Sequence, residues 1–250
     1  MQFGLCPLSI VPVRSLPEES GELISQLLYG DHFKIIETRK FYSKIRVAND
    51  ACEGWISNLQ WQSISEETYR SIAKDTNYSI SSDLVSFVSS KFNELIPVLL
   101  GSTVSYADLV QHQFEGNCLT EKIAKSRLIT IASLYLNSPF LSGGKTPFGI
   151  DSAGFTQMVY KASGHHLLRT ASKQATQGEA LSFIEECEPG DLAFFDNADG
   201  AIDHVGIVME NNYVIHAHGK VKIDRIDHTG IFNSETKLYT HKLRVLKKIF

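Results

Sequence analysis

Cysteine is scarce and unpaired in this chain: Cys6, Cys52, Cys118 and Cys187 are its four thiols, and no two stand at CxxC spacing. That excludes a zinc knuckle and a thiol redox motif, and it predicts inert thiols in a reducing compartment. Long apolar runs are missing too, and nothing approaches the ~20 residues that a transmembrane helix needs. The opening MQFGLCPLSIVPVRS has no charged leader region, no useful apolar stretch and no small-residue cleavage site, which predicts a cytoplasmic protein without a membrane span. Positive charge is not in excess. The formal net charge is −4, and the only basic cluster, in LRVLKKIF, lacks the extended basic face that nucleic acid requires. His218 follows His216 by two residues, but no third ligand stands at metal spacing, so neither a metal nor a cofactor is expected.

What the chain does have is short alternating apolar segments. At 250 residues, 43% hydrophobic and 21% charged, it is an ordinary globular sequence long enough for more than one core. Over residues 1–62 the segments LSIVPVRS, ELISQLLYGDHFKIIET, YSKIRVAN and EGWISNLQW are punctuated by Gly, Pro and Asp every ~8–12 residues, which predicts a small all-β barrel. Residues 63–119 predict a linker or small β subdomain: SEETYRSIAKD reads as a connecting helix, SDLVSFVSS and NELIPVLLGST read as strands, and DLVQHQFEG as one more. Residues 120–250 open with TEKIAKSRLITIASLYLNS. Its apolar residues Ile123, Leu128, Ile131, Leu134 and Tyr135 recur at helical spacing and Ser-Pro ends the run, predicting a helix of roughly four to five turns. A second helix is expected over 152–163, stopped by Gly164, and the strands LAFFDN, DHVGIVMEN, NYVIHAH, KVKIDRID and HKLRVLKKI follow the EPGD turn. Helices followed by a run of antiparallel strands make an α+β layout.

One constellation carries chemistry. Asp151-Ser152 heads the second helix, His204 lies in DHVGIV and His216 in YVIHAHG. A helix start stabilises a nucleophile and a developing oxyanion through its dipole and free N–H groups, while an imidazole accepts the proton and a third polar group orients it. A strand histidine taken alone is ordinary; two on consecutive strands, behind a helix headed by Asp-Ser, read as a present or former catalytic group. Ser152 or Asp151 serves equally well as a plain helix cap. His165, His166, His218 and His228 read as surface or turn residues.

The segments GGKTPFGIDSAGFTQMVY, LLRTASKQ, EPGDLAFFD, DHVGIVM and YVIHAHGKVKID resemble, in order and spacing, the NlpC family of papain-like cell-wall peptidases over roughly residues 120–250. Ahead of them, VPVRSLPEESGELISQLLYGD followed by a strand and EGWI resembles the bacterial SH3-like domain that commonly accompanies that family. The resemblance implies a papain-like α+β domain behind an all-β SH3-like barrel. It further implies activity on the bond between D-glutamate and the diamino acid of cell-wall stem peptides, intracellular members recycling short peptides with a free L-alanine terminus. By the same resemblance Ser152 holds the nucleophile position, with His204 as base and His216 as orienter. Asp151, Ala153, Arg169, Thr170 and Ser142 then line the substrate, as does Trp55 of the SH3-like module unless it is simply core. The partner implied is a cell-wall stem peptide or another peptide.

The site departs from the family's Gly-x-Asp-Cys-Ser-Gly-Phe, because here the residues are Gly149-Ile150-Asp151-Ser152-Ala153-Gly154-Phe155. Serine replaces the thiol and alanine the serine after it. Ser142 stands where the family usually has Trp, Thr170 where an Asp commonly helps hold the substrate's amine, and Cys52 where an aromatic residue is expected. An engineered knockout changes one residue, whereas drift or a new role changes a whole pocket, so a pseudoenzyme or altered chemistry is the first expectation. A variant of an active cysteine peptidase and a true Ser-His-His hydrolase stay open.

Overall fold

The structure, a computed structural model, describes residues 2–250. Two compact units divide it: residues 2–122 with Ser142–Pro147, and Ile123–Leu141 with Phe148–Phe250. Among the described residues no helix is long and apolar enough to cross a membrane.

In the first unit β1 (Gln2–Leu5), β2 (Ile10–Arg14), β3 (Leu23–Leu28), β4 (His32–Thr38), β5 (Tyr42–Val47), β6 (Glu53–Ser57) and β7 (Gln62–Ile64) form one antiparallel sheet, in the order β3-β2-β6-β5-β4-β1-β7. Alternation does the sorting. Val11 and Val13 of β2 and Ile45 and Val47 of β5 point inward, and with Leu27, Phe33 and Ile56 they make the barrel core. Each such side chain, fully buried, contributes about 1.5–3 kcal/mol. β1, paired with both β4 and β7, and the edge strand β7 escaped the sequence reading because each is only three or four residues long.

Residues 63–119 hold α1 (Glu66–Lys74), β8 (Ile80–Ser81), β9 (Val85–Ser90), β10 (Leu95–Leu99), β11 (His112–Glu115) and β12 (Cys118–Leu119). The Ser65 hydroxyl caps α1 by accepting from the Thr68 N–H, with Glu66 and Glu67 in the first turn and Lys74 in the last, as the helix dipole favours. β10-β9-β11 form a small sheet and β12 pairs with β8. Leu5, Tyr29, Ile72, Val88 and Val98 share a second core, so these strands pack with the barrel as part of the same unit. Gly30, at φ +79°, shows how closely: a Cβ there would lie 1.9 Å from the Thr103 carbonyl oxygen. A short strand, β13 (Lys145–Thr146), completes the unit.

The second unit contains α2 (Leu128–Ser133), β14 (Gly149–Ile150), α3 (Ser152–Lys161), α4 (Ala171–Gln174) and seven further strands. These are β15 (Glu179–Leu181), β16 (Leu192–Asp196), β17 (Ile202–Met209), β18 (Tyr213–His218), β19 (Lys220–Ile226), β20 (Gly230–Asn233) and β21 (Leu238–Lys248), ordered β15-β21-β16-β17-β18-β19-β20. β21 also pairs with β20, which closes the sheet into a small barrel. This is the α+β layout expected.

The long helix predicted from residue 120 is not there. Its apolar face is right, but its backbone hydrogen bonds go elsewhere: the Ile123 N–H donates to the Ala162 carbonyl, Ala124 is extended, and the Asn137 N–H donates to Val221. Asn137 itself sits at φ +68°, so only Leu128–Ser133 remain as α-helix. α3, by contrast, is buried at all ten of its positions, the mark of a helix enclosed on every side.

Candidate active site

α3 begins one residue earlier than a Ser152 cap would require. Asp151 is the cap: its Oδ1 accepts the Gly154 N–H at 2.6 Å, and Ser152 is the first helical residue, only 5% exposed. α3 packs against β17 and β18, the strands that carry His204 and His216. Ser152 therefore has the helix-start position that the chemistry asks for, on the helix packed against the two strands that carry the imidazoles.

The histidines meet as the spacing suggested. Nε2 of His204 is 2.8 Å from Nδ1 of His216, the rings almost perpendicular. Gly206 makes room: it pairs with His216 across the β17–β18 ladder, and a Cβ on it would come within 2.6 Å of Val214 Cγ2 and 3.0 Å of His216 Cβ. Burial pushes the His204 imidazole well below the usual histidine range, and the neighbouring His216, His241 and His218 push the same way. Burial lowers His216 too, against the opposing pull of Asp224.

Two members of this group escaped the sequence reading. Asp224 on β19 places Oδ2 3.1 Å from His216 Nε2 and 2.9 Å from Lys222 Nζ. Burial works against its charge, but the bonds from His216 and Lys222 outweigh it and bring the carboxyl down to about 2. The signal was present in YVIHAHGKVKID: a hairpin about Gly219 pairs His216 with Lys222, and Asp224, two residues on, shares their face. His241 on β21 stacks on His204 with centroids 4.1 Å apart, and burial first, then the charges nearby, lowers it to about 4. Nothing local in the sequence announces it, since β21 reaches the site by closing the barrel. His218, read as a surface residue, is exposed but has its ring 4.8 Å from that of His241, so it edges the cluster. Among the described residues no group of three His, Cys, Asp or Glu could hold a metal ion.

The residues expected to line a substrate have definite neighbours. Arg169, 4% exposed, sets NH1 3.0 Å from Asp151 Oδ1 and NH2 2.6 Å from Oδ2, a two-point ion pair. Thr170 caps α4, its hydroxyl accepting the Lys173 N–H at 3.4 Å, and is exposed. Ala153 is buried, and its carbonyl accepts from Gln174 Nε2 and from the Thr156 hydroxyl, which ties the first turn of α3 to α4. Ser142 and Trp55 belong to the first unit. Ser142 is exposed, whereas Trp55 is 6% exposed with the Arg39 guanidinium 4.5 Å above its ring, a core residue with a cation over it. Cys52 is half-buried against the barrel core.

A helix headed by Asp-Ser, packed on a closed barrel whose strands supply a buried imidazole pair, is the papain-like α+β fold. Residues 137–240 match the model of the NlpC/P60 family and residues 13–59 that of the bacterial dipeptidyl-peptidase SH3 domain, so this chain carries an NlpC/P60 family domain behind a bacterial SH3 domain. It is 34% identical over 92 residues to the γ-D-glutamyl-L-lysine dipeptidyl-peptidase of Bacillus subtilis, covering 36% of this chain and 31% of that protein. To the probable endopeptidase p60 of Listeria innocua it is 38% identical over 104 residues, covering 41% of this chain and 22% of the relative. The match thus spans less than a third of either relative's length. A crystal structure of an NlpC/P60 family protein from Bacillus cereus superposes with a TM-score of 0.80 over 99% of both chains at 17% identity, which shows a shared fold.

Proposed function

We propose that the NlpC/P60 domain holds γ-D-glutamyl-containing cell-wall peptides and cleaves them poorly or not at all, a peptide-binding scaffold on a peptidase fold. The observation that carries this is Ser152 at the first position of α3. A thiol with an ordinary pKa near ~8.5 ionises beside an imidazole, whereas an alcohol must lose its proton during attack itself. The Asp151 carboxylate, which a substrate amine would seek, is already matched by Arg169. The substrate class follows the Bacillus subtilis relative, a γ-D-glutamyl-L-lysine dipeptidyl-peptidase, and the changed neighbours Ala153, Thr170 and Ser142 fit a pocket whose substrate contacts have been replaced. Calorimetric titration with L-Ala-γ-D-Glu-diaminopimelate, with mass spectrometry of the same mixture, is the test. Binding without release of L-alanyl-D-glutamate supports the proposal; rapid release, or no binding of any stem peptide, overturns it.

A second reading rests on the imidazole pair. His204 keeps its contact with His216 and is held uncharged by burial, as a general base must be. On this reading Ser152 is a slow nucleophile, and dipeptide release is weak but is abolished by Ser152→Ala.

A further inference from the structure

His204 and His216 are bonded in a row that ends on a carboxylate, and the chemistry of that row fixes where each proton sits. Asp224, 8% exposed, is ionised and can only accept, so the Nε2 of His216, 3.1 Å away, must be the donor. His216 is fully buried and kept neutral, and a neutral imidazole carries one N–H, which leaves its Nδ1 as an acceptor. Nε2 of His204, 2.8 Å from that Nδ1, is then the donor of its own ring. The lone pair of His204 falls on Nδ1. The opposite tautomers would set a lone pair of His216 against the carboxylate in a site closed to water, leaving both groups unsatisfied. Lys222, 2.9 Å from the same Oδ2, helps hold the carboxylate ionised.

We propose that Asp224 is a positioning residue that sets the tautomers of both histidines, so that His204 keeps Nδ1 unprotonated as the proton-accepting atom of the site. This rests on reading His204 as the base and deepens that reading. It also explains why a carboxylate is retained beside core residues Val214 and Ile226, where an apolar side chain would pack as well. The titratable and charged groups facing the pair are His218 on β18, Lys222 and Asp224 on β19 and His241 on β21.

Long-range proton–nitrogen correlation spectra of the full chain, with histidine labelled in both ring nitrogens, read tautomers directly at about neutral pH. The wild-type protein is expected to show the Nε2–H pattern for both His204 and His216. Asp224→Leu removes the acceptor opposite His216 Nε2 and leaves only the Lys222 donor near it, so it should release the row and move both rings towards the Nδ1–H pattern. Asp224→Glu should keep the wild-type pattern. A purely structural Asp224 would lower the melting temperature of Asp224→Leu and leave the His204 tautomer where it was. Nδ1–H on His204 in the wild-type chain, or an unchanged His204 in folded Asp224→Leu, overturns the proposal, and the wild-type spectrum decides even if the variant does not fold. None of these readouts needs a peptide. A failed peptide titration therefore removes the proposed function alone, and a wrong tautomer removes the role of Asp224 alone.

Discussion

Arg169 grips Asp151 at both carboxylate oxygens, 3.0 and 2.6 Å away, at the residue that caps the helix bearing Ser152. The carboxylate adjoining Ser152 is therefore engaged twice, by a guanidinium and by the helix's own Gly154 N–H. Together with Thr170, turned to capping α4, this describes a helix start organised for internal stability.

The first prediction concerns what a ligand's amine finds there. A charge-assisted contact to an ammonium contributes about 1.5–3 kcal/mol, roughly 10- to 100-fold in affinity. With Asp151 matched by Arg169 and no carboxylate at position 170, L-Ala-γ-D-Glu-diaminopimelate and its N-acetylated form should bind with closely similar affinity. Calorimetric titration of the two compares them directly, and a tenfold preference for the free amine would show that a negative group still meets it.

A second prediction uses the close approach of β17 and β18. Gly206→Ala drives a methyl to 2.6 Å from Val214 Cγ2 and 3.1 Å from the Ile215 carbonyl oxygen, in the ladder that aligns His204 with His216. Overpacking of this kind costs about 1–3 kcal/mol. Urea unfolding should show that loss; a variant as stable as the wild type would mean the strands part without strain.

How much of this was legible beforehand depends on how local each feature is. Ser152, His204 and His216 sit in short motifs whose order survives in sequence, and the antiparallel strands after EPGD announce themselves by alternation. The helix expected from residue 120 failed because its apolar spacing is real while its end bonds belong to Ala162 and Val221, partners that spacing cannot reveal. Asp224 was within reach, two residues along a hairpin from the partner of His216. His241 was not, since barrel closure alone carries it to His204.

The third prediction is a pH dependence with a definite sign. His204, His216 and His241 all have folded-state values below the unfolded value near ~6.5. The unfolded chain then binds more protons in that window, so stability is fully present above about pH 6.5 and falls as pH drops, for His241 down to about 4. Asp224 acts lower: its stabilisation is present above the unfolded value near ~3.9 and is lost as pH falls through about 2. Melting temperatures between about pH 7.5 and 4.5 should decline, and His241→Phe, which keeps a ring over His204 but cannot titrate, should decline less. A slope unchanged in His241→Phe would remove that imidazole from the account.

The last prediction asks whether one atom separates this domain from an active peptidase. Ser152→Cys restores a thiol at the head of α3, beside strands whose imidazole pair is already in place. If the nucleophile were the only loss, turnover would recover by several powers of ten, since removing a nucleophile outright costs about 10⁶ in a well-studied protease. Ala153, Thr170 and Ser142 remain unchanged in that variant, however, and misplacement of a reacting group by ~1 Å alone costs on the order of 10²-fold. Ser152→Cys is therefore expected to become alkylated by iodoacetamide, reporting an accessible thiolate, while releasing little dipeptide from stem peptides. Robust turnover by this single variant would sink the scaffold reading, because it would show that the pocket still positions its substrate and that the serine alone had silenced it.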